Sequence, residues 1–142
     1  YPEHEKKHKM VHNDSHKFES NFVSLEIPKN NSVMFGSLSG TKLGVWVAHG
    51  EGKFEFPYEE KEYNIIAKYN YDGYPANPNG SPWSVAGVCS KDGRHLAMMP
   101  HPERAIFPWQ CGYYPADRKE NDEVTPWIEA FVNARKWIEN NK

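Results

Sequence analysis

The sequence predicts an α/β chain, rich in strands and closed by one carboxyl-terminal helix. Three observations carry that prediction. Between residues 18 and 99 the apolar residues fall in short runs, some of them alternating with polar ones, which is the period of a half-buried strand. Asp92-Gly93 lies between two such runs, and that dipeptide is a strong hairpin signal. After Thr125-Pro126 the spacing lengthens, and Trp127, Phe131, Ala134 and Ile138 recur at helical intervals.

The elements follow in chain order. Residues 1–17 are polar and histidine-rich and read as a lead-in to one domain over 18–142. His4, His8, His12 and His16 recur every fourth residue. On a helix they would share a face, and such pairs can hold a divalent metal. Apolar support for a helix is thin there, so the plain alternative is a solvated tether. Residues 18–27 alternate, with Val23, Leu25 and Ile27 on one register, as a strand does. Residues 33–35 are a short apolar piece and 37–40 a turn.

The run 43–48 is continuously apolar, the mark of a strand buried on both faces. It and 83–88 are expected to need neighbouring strands from segments outside the chain. His49-Gly50-Glu51-Gly52 ends the first of these, ahead of a strand at 53–56. Two glycines allow a sharp turn and a close approach of backbone to a ligand, so the loop is either a substrate loop or a plain tight turn. Residues 59–62 make one helical turn and 64–71 a strand. Tyr74-Pro75-Ala76-Asn77-Pro78-Asn79-Gly80-Ser81-Pro82 is an ordered loop. Runs 83–88 and 94–99 pair around Asp92-Gly93. The loop 105–125 is partly apolar through Phe107, Trp109, Tyr113 and Tyr114, and packs on its own domain or on a neighbouring one. Thr125 is placed as the N-cap of the last helix, with Pro126 at its first position. Trp127, Phe131, Ala134 and Ile138, with Ile128, form its core stripe.

Composition excludes several classes. The 142 residues carry a net charge of −2, which gives no electrostatic footprint for nucleic acid. No apolar run approaches the ~20 residues of a membrane helix, and the polar first residues do not read as a secretory leader. Cys89 and Cys111 supply neither a disulfide framework nor a zinc spacing. A reducing, cytoplasmic setting fits.

The chemistry concentrates at Met98-Met99-Pro100-His101-Pro102-Glu103-Arg104. Proline fixes its own φ and drives the residue before it into extended geometry. His101 is therefore expected to be extended, with Glu103 projecting to the same side. A carboxylate beside an imidazole fixes its tautomer and stabilises its charged form, as the orienting member of a nucleophile–base–orienter triad does. Spacing alone fits a solvated polar loop as well. Neither cysteine is a convincing nucleophile. Cys89 follows Gly87-Val88, but the position two beyond it is Lys91 rather than glycine. A hairpin follows, not the helix of a nucleophile elbow.

The stretch 98–104, together with Ala48-His49-Gly50-Glu51-Gly52, the loop 74–82 and the segment from Pro126-Trp127 to Lys136, resembles the class I (triad) glutamine amidotransferase domain. The form it most resembles is the one in the large single-chain phosphoribosylformylglycinamidine synthases. These motifs occur in the family's order and cover most of the chain from about residue 13 onward. The resemblance implies the carboxyl-terminal portion of a flavodoxin-like glutaminase sandwich. It implies His101 as base and Glu103 as its orienter. It implies glutamine contacts from His49, Gly50 and Glu51, whose N–H groups suit an α-carboxylate; the loop 74–82 is either a simple connector or a functional loop that places Asn79 or Ser81 near the substrate amide. The family's Gly-x-Cys-x-Gly elbow precedes the His/Glu pair and has no counterpart here.

The expected partners are therefore glutamine and the remaining amino-terminal part of a synthase, which carries the nucleophile; the chain alone is expected to be inactive. Ammonia from glutamine would feed ATP-dependent conversion of formylglycinamide ribonucleotide to its amidine in purine biosynthesis. ATP and Mg²⁺ belong to the synthetase part, and no cofactor is expected in this chain. The rival readings are a metal-binding or protein-interaction module built on the spaced histidines and the aromatic loop, and a metallohydrolase using His49, Glu51, His101 and Glu103.

Overall fold

The computed structural model describes residues 8–142. It is strand-rich α/β, and every ladder is antiparallel. The strands are β1 (Lys9–Val11), β2 (Glu19–Glu26), β3 (Lys42–His49), β4 (Lys53–Glu55), β5 (Asn64–Tyr69), β6 (Val85–Cys89) and β7 (Leu96–Met98). The helices are α1 (Ala116–Lys119) and α2 (Ile128–Asn140). Five strands form one sheet in the order β3-β2-β5-β6-β7, and β1 pairs with β4 in a two-stranded ribbon.

Period-two alternation sets which side each strand buries. Val23 and Leu25 of β2 lie opposite Val45 and Leu43 of β3. With Ile66, Tyr69, Ala86, Phe35 and Leu38 they make the core, which Trp127, just before α2, and Ala130 of α2 cover. Beyond β7 the chain turns back, and the His101 N–H donates to the Trp46 carbonyl at 2.8 Å. The two ends of the strand order thus nearly meet, and the sheet curls.

The hairpin at Asp92-Gly93 is present, with Gly93 at φ 77°, a conformation that favours glycine. Other expectations need correction. Strand β3 does not run through the sheet's centre buried on both faces: it is an outer strand, fully buried on one face only. Strand β6 has neighbours on both sides within this chain. It begins at Val85 because Trp83 and Ser84 adopt left-handed φ of 54° and 57°, which no strand accommodates. Thr125 does not cap α2; its hydroxyl donates to the Ala105 carbonyl at 2.5 Å. Trp127, just before the helix, and Ala130 within it are buried, while Phe131, Val132, Trp137 and Ile138 are exposed. Its apolar spacing is wider than the face it packs on.

The described part of the lead-in, residues 8–17, is not a loose tether. Lys9–Val11 is a strand, so His8 and His12 flank extended backbone rather than sharing a helical face. His8 sits in an aromatic cluster, its ring 5.4 Å from Tyr63, and His12 lies 3.4 Å from Glu51 at the surface. His4 lies outside the described residues. Among the described residues, no group of three or more His, Cys, Asp or Glu could hold a metal. None of the described helices is long and apolar enough to cross a membrane.

Candidate active site

His101 follows Pro100 with φ −108° and ψ 83°, on the extended side as a pre-proline residue must be. Pro102 then opens a single 3-10 turn, Pro102–Arg104. Its bonds are Arg104 N–H to His101 O and Ala105 N–H to Pro102 O. Glu103 therefore reaches His101 by folding back on a turn, not by sharing a strand face. The two side chains meet nonetheless: His101 Nδ1 lies 2.7 Å from Glu103 Oε1. A carboxylate only accepts, so Nδ1 carries a proton, and in the neutral ring that leaves the lone pair on Nε2. No hydrogen bond occupies that Nε2 among the described residues, and the side chain is 28% exposed. A base ready to take a proton needs this arrangement.

The loop His49-Gly50-Glu51-Gly52 leaves the end of β3. The His49 ring is buried, with Nδ1 3.2 Å from Asn13 Oδ1. Burial pushes its pKa below the ordinary range and the nearby His101 adds to this, while its own backbone and Glu19 oppose it. Among the described residues its Nε2 has no hydrogen-bond partner, and neither has Oε1 of Glu19, the residue directly opposite on β2. Gly52 is required by packing: a Cβ there would lie 2.5 Å from His49 Nδ1. The Gly50 and Glu51 amides have no intramolecular acceptor among the described residues. Glu51 turns its carboxylate outward to His12.

Asn79 and Ser81 are buried and committed to the scaffold rather than brought to His101. Asn79 Nδ2 donates to the Tyr69 hydroxyl at 3.1 Å and its Oδ1 accepts from Ser81 N–H at 3.0 Å. Ser81 Oγ accepts from Phe54 N–H at 3.0 Å. Both thiols stand above the ordinary range because burial disfavours the thiolate: Cys89 at the end of β6 and Cys111 in the aromatic loop. Neither has the lowered pKa of an activated nucleophile.

Two buried residues at the site, Asn13 and Glu19, escape the sequence reading. Glu19 left a weak signal: it stands on the same register as Val23, Leu25 and Ile27, with Asn21 between them, so its carboxylate shares the side of the strand that the apolar residues bury. Asn13 left none, inside a polar stretch.

The CobB/CobQ-like glutamine amidotransferase domain family matches residues 1–138. A probable phosphoribosylformylglycinamidine synthase of Arabidopsis thaliana, described as chloroplastic/mitochondrial, is 43% identical over 145 residues, spanning 93% of this chain and 10% of that protein. The Homo sapiens phosphoribosylformylglycinamidine synthase is 43% identical over 140 residues, spanning 90% of this chain and 10% of that protein. The chain thus has about a tenth of the length of these relatives. The solved structure of PurLQS from Thermotoga maritima matches with a TM-score of 0.70 at 25% identity, over 94% of this chain and 54% of that one. A histidine–glutamate pair on a proline-braced turn, a curled antiparallel sheet and a family match over nearly the whole length lead to one conclusion: the chain belongs to the CobB/CobQ-like glutamine amidotransferase domain family.

Proposed function

We propose that this chain is the carboxyl-terminal part of the glutaminase domain of a phosphoribosylformylglycinamidine synthase, and that it supplies the base and its orienter but not the nucleophile. The observation that carries this is the 2.7 Å contact between His101 Nδ1 and Glu103 Oε1, with Nε2 unoccupied among the described residues. A cysteine from the amino-terminal part of the synthase gives its thiol proton to His101 Nε2. The thiolate adds to the side-chain carbonyl carbon of glutamine. The C–N bond breaks as His101 returns the proton to the departing nitrogen, leaving ammonia and a thioester. Water gives a proton to His101 Nε2 and adds to the thioester carbon; the C–S bond breaks, glutamate leaves, and the proton returns from Nε2 to the cysteine sulfur. Glu103 holds the ring and offsets its positive charge in both halves of the cycle. The free Gly50 and Glu51 amides suit the α-carboxylate of glutamine as oriented backbone donors do.

The ammonia is consumed in the synthetase part, outside this chain, where ATP and Mg²⁺ drive conversion of formylglycinamide ribonucleotide to the amidine. We place that reaction in the cytoplasm, or in the organelles for relatives such as the Arabidopsis protein. The test has two arms. This chain alone turns over no glutamine above buffer. In the complete synthase, His101→Ala abolishes glutamine-dependent synthesis and spares synthesis from added ammonia. Turnover by the isolated chain, or equal loss of both routes, overturns the reading.

A further inference from the structure

Asn13 is fully buried, and its side chain is saturated by one loop and its own segment. Nδ2 donates to the His49 carbonyl at 2.7 Å and to the Lys17 carbonyl at 2.9 Å. Oδ1 accepts from Gly52 N–H at 3.0 Å and faces His49 Nδ1 at 3.2 Å. The backbone N–H of Asn13 donates to the Gly50 carbonyl at 2.9 Å. One residue thus holds the carbonyls of His49 and Gly50 and the amide of Gly52. The amides left over are those of Gly50 and Glu51, which have no acceptor among the described residues. Successive free amides on a braced turn are an anion-receiving arrangement.

The bracket also sets the His49 tautomer. Both hydrogens of the Asn13 amide go to carbonyls, so its Oδ1 must accept from the ring, and the His49 proton sits on Nδ1. Only a carboxamide does all of this: a carboxylate would face two carbonyls with no hydrogen to give, and a smaller side chain would release the turn.

The geometry points to Asn13 as a positioning residue for the reaction. It bonds to the loop 49–52 from behind and presents the Gly50 and Glu51 amides to the α-carboxylate of an amino acid substrate. This rests on the glutaminase reading. Asn13 touches no reacting atom, so its removal acts on substrate capture rather than on the nucleophile.

The experiment uses the complete synthase and two alkylating reagents for the glutaminase thiol. One is a chloroketone that keeps the glutamine α-carboxylate; the other is iodoacetamide, which has none. Asn13→Ala is expected to raise KM for glutamine about tenfold or more, leaving kcat and ammonia-dependent synthesis within about twofold. The chloroketone should alkylate about tenfold more slowly while the iodoacetamide rate is unchanged. A merely structural role would slow both reagents alike, and that result, or an unchanged KM, overturns the inference. If Asn13→Ala does not fold, Asn13→Asp carries the same comparison, because it keeps the Oδ1 acceptor and loses both donors. Failure of both variants to fold also overturns it, by making Asn13 a residue of the fold alone. His101→Ala separates the two levels. If it does not spare the ammonia route, the glutaminase reading itself fails. If it does and the Asn13 variants show no selectivity, only the role of Asn13 fails.

Discussion

Replacing Glu103 by glutamine in the complete synthase isolates its charge from its shape. Glutamine keeps a carbonyl oxygen that still accepts from Nδ1–H, so the ring orientation and tautomer survive. What is lost is the attraction between a carboxylate and the imidazolium formed during the reaction. At roughly 4 Å between charge centres that attraction is about 1 kcal/mol in water and about 4 kcal/mol at an effective dielectric near 20. Glu103 is 55% exposed and His101 28%, so screening by solvent puts the value in the lower half of that range, about 1–2 kcal/mol. The expected result is a loss of about tenfold in glutamine-dependent kcat. KM should stay within about twofold, as expected when an interaction made only in the transition state is removed, and ammonia-dependent synthesis should be unchanged. Glu103→Ala also frees the ring and should lose more, toward the ~10²-fold or greater contribution of a positioned base. Steady-state assays with glutamine and with ammonia read both. Equal losses for the two variants, or a loss below twofold for Glu103→Gln, would refute the division of labour.

Two further outcomes concern the scaffold. Trp127 is buried, lies tilted against Phe35 with ring centroids 5.7 Å apart and donates from Nε1 to the Gly44 carbonyl at 2.8 Å. Trp127→Ala should therefore cost about 3–5 kcal/mol in denaturant unfolding of the chain, and Trp127→Phe, which mainly orphans that carbonyl, about 1–3 kcal/mol. His49 has a lowered pKa in the folded chain, so below its ordinary value of 6.5 the unfolded state binds the proton first. Its contribution to stability is complete above that pH, declines as pH falls through it, and levels off below the folded pKa. Unfolding midpoints from pH 8 to 5 should show this segment in the parent chain and lose it in His49→Gln.

The strands were legible because their alternation is local. Val23, Leu25 and Ile27 announce a buried face wherever the strand goes, and Asp92-Gly93 announces its turn. Which strand lies at the sheet's edge is decided by partners far along the chain, so the apolar run of β3 suggests burial on both faces although its outer edge bonds to the His101 bend and the Trp127 indole. The apolar residues of α2 were visible, but the face that packs was fixed by the position of Trp127 against Gly44, and a helical period cannot reveal that. At the site, His101 and Glu103 were legible because prolines constrain their backbone, although the turn that joins them was not the extended geometry expected. Asn13 was invisible for the opposite reason: buried asparagine looks like solvated asparagine until its acceptors are known.

The bond from His101 N–H to the Trp46 carbonyl makes the reactive bend the clasp of the curled sheet. The imidazole hangs from the residue that fastens β3, so any loosening of the wrap carries the ring off station before the core is lost. Deuterium uptake at that one amide therefore reports whether the imidazole is held in place, and stabilising the clasp stabilises the bend and the wrap together.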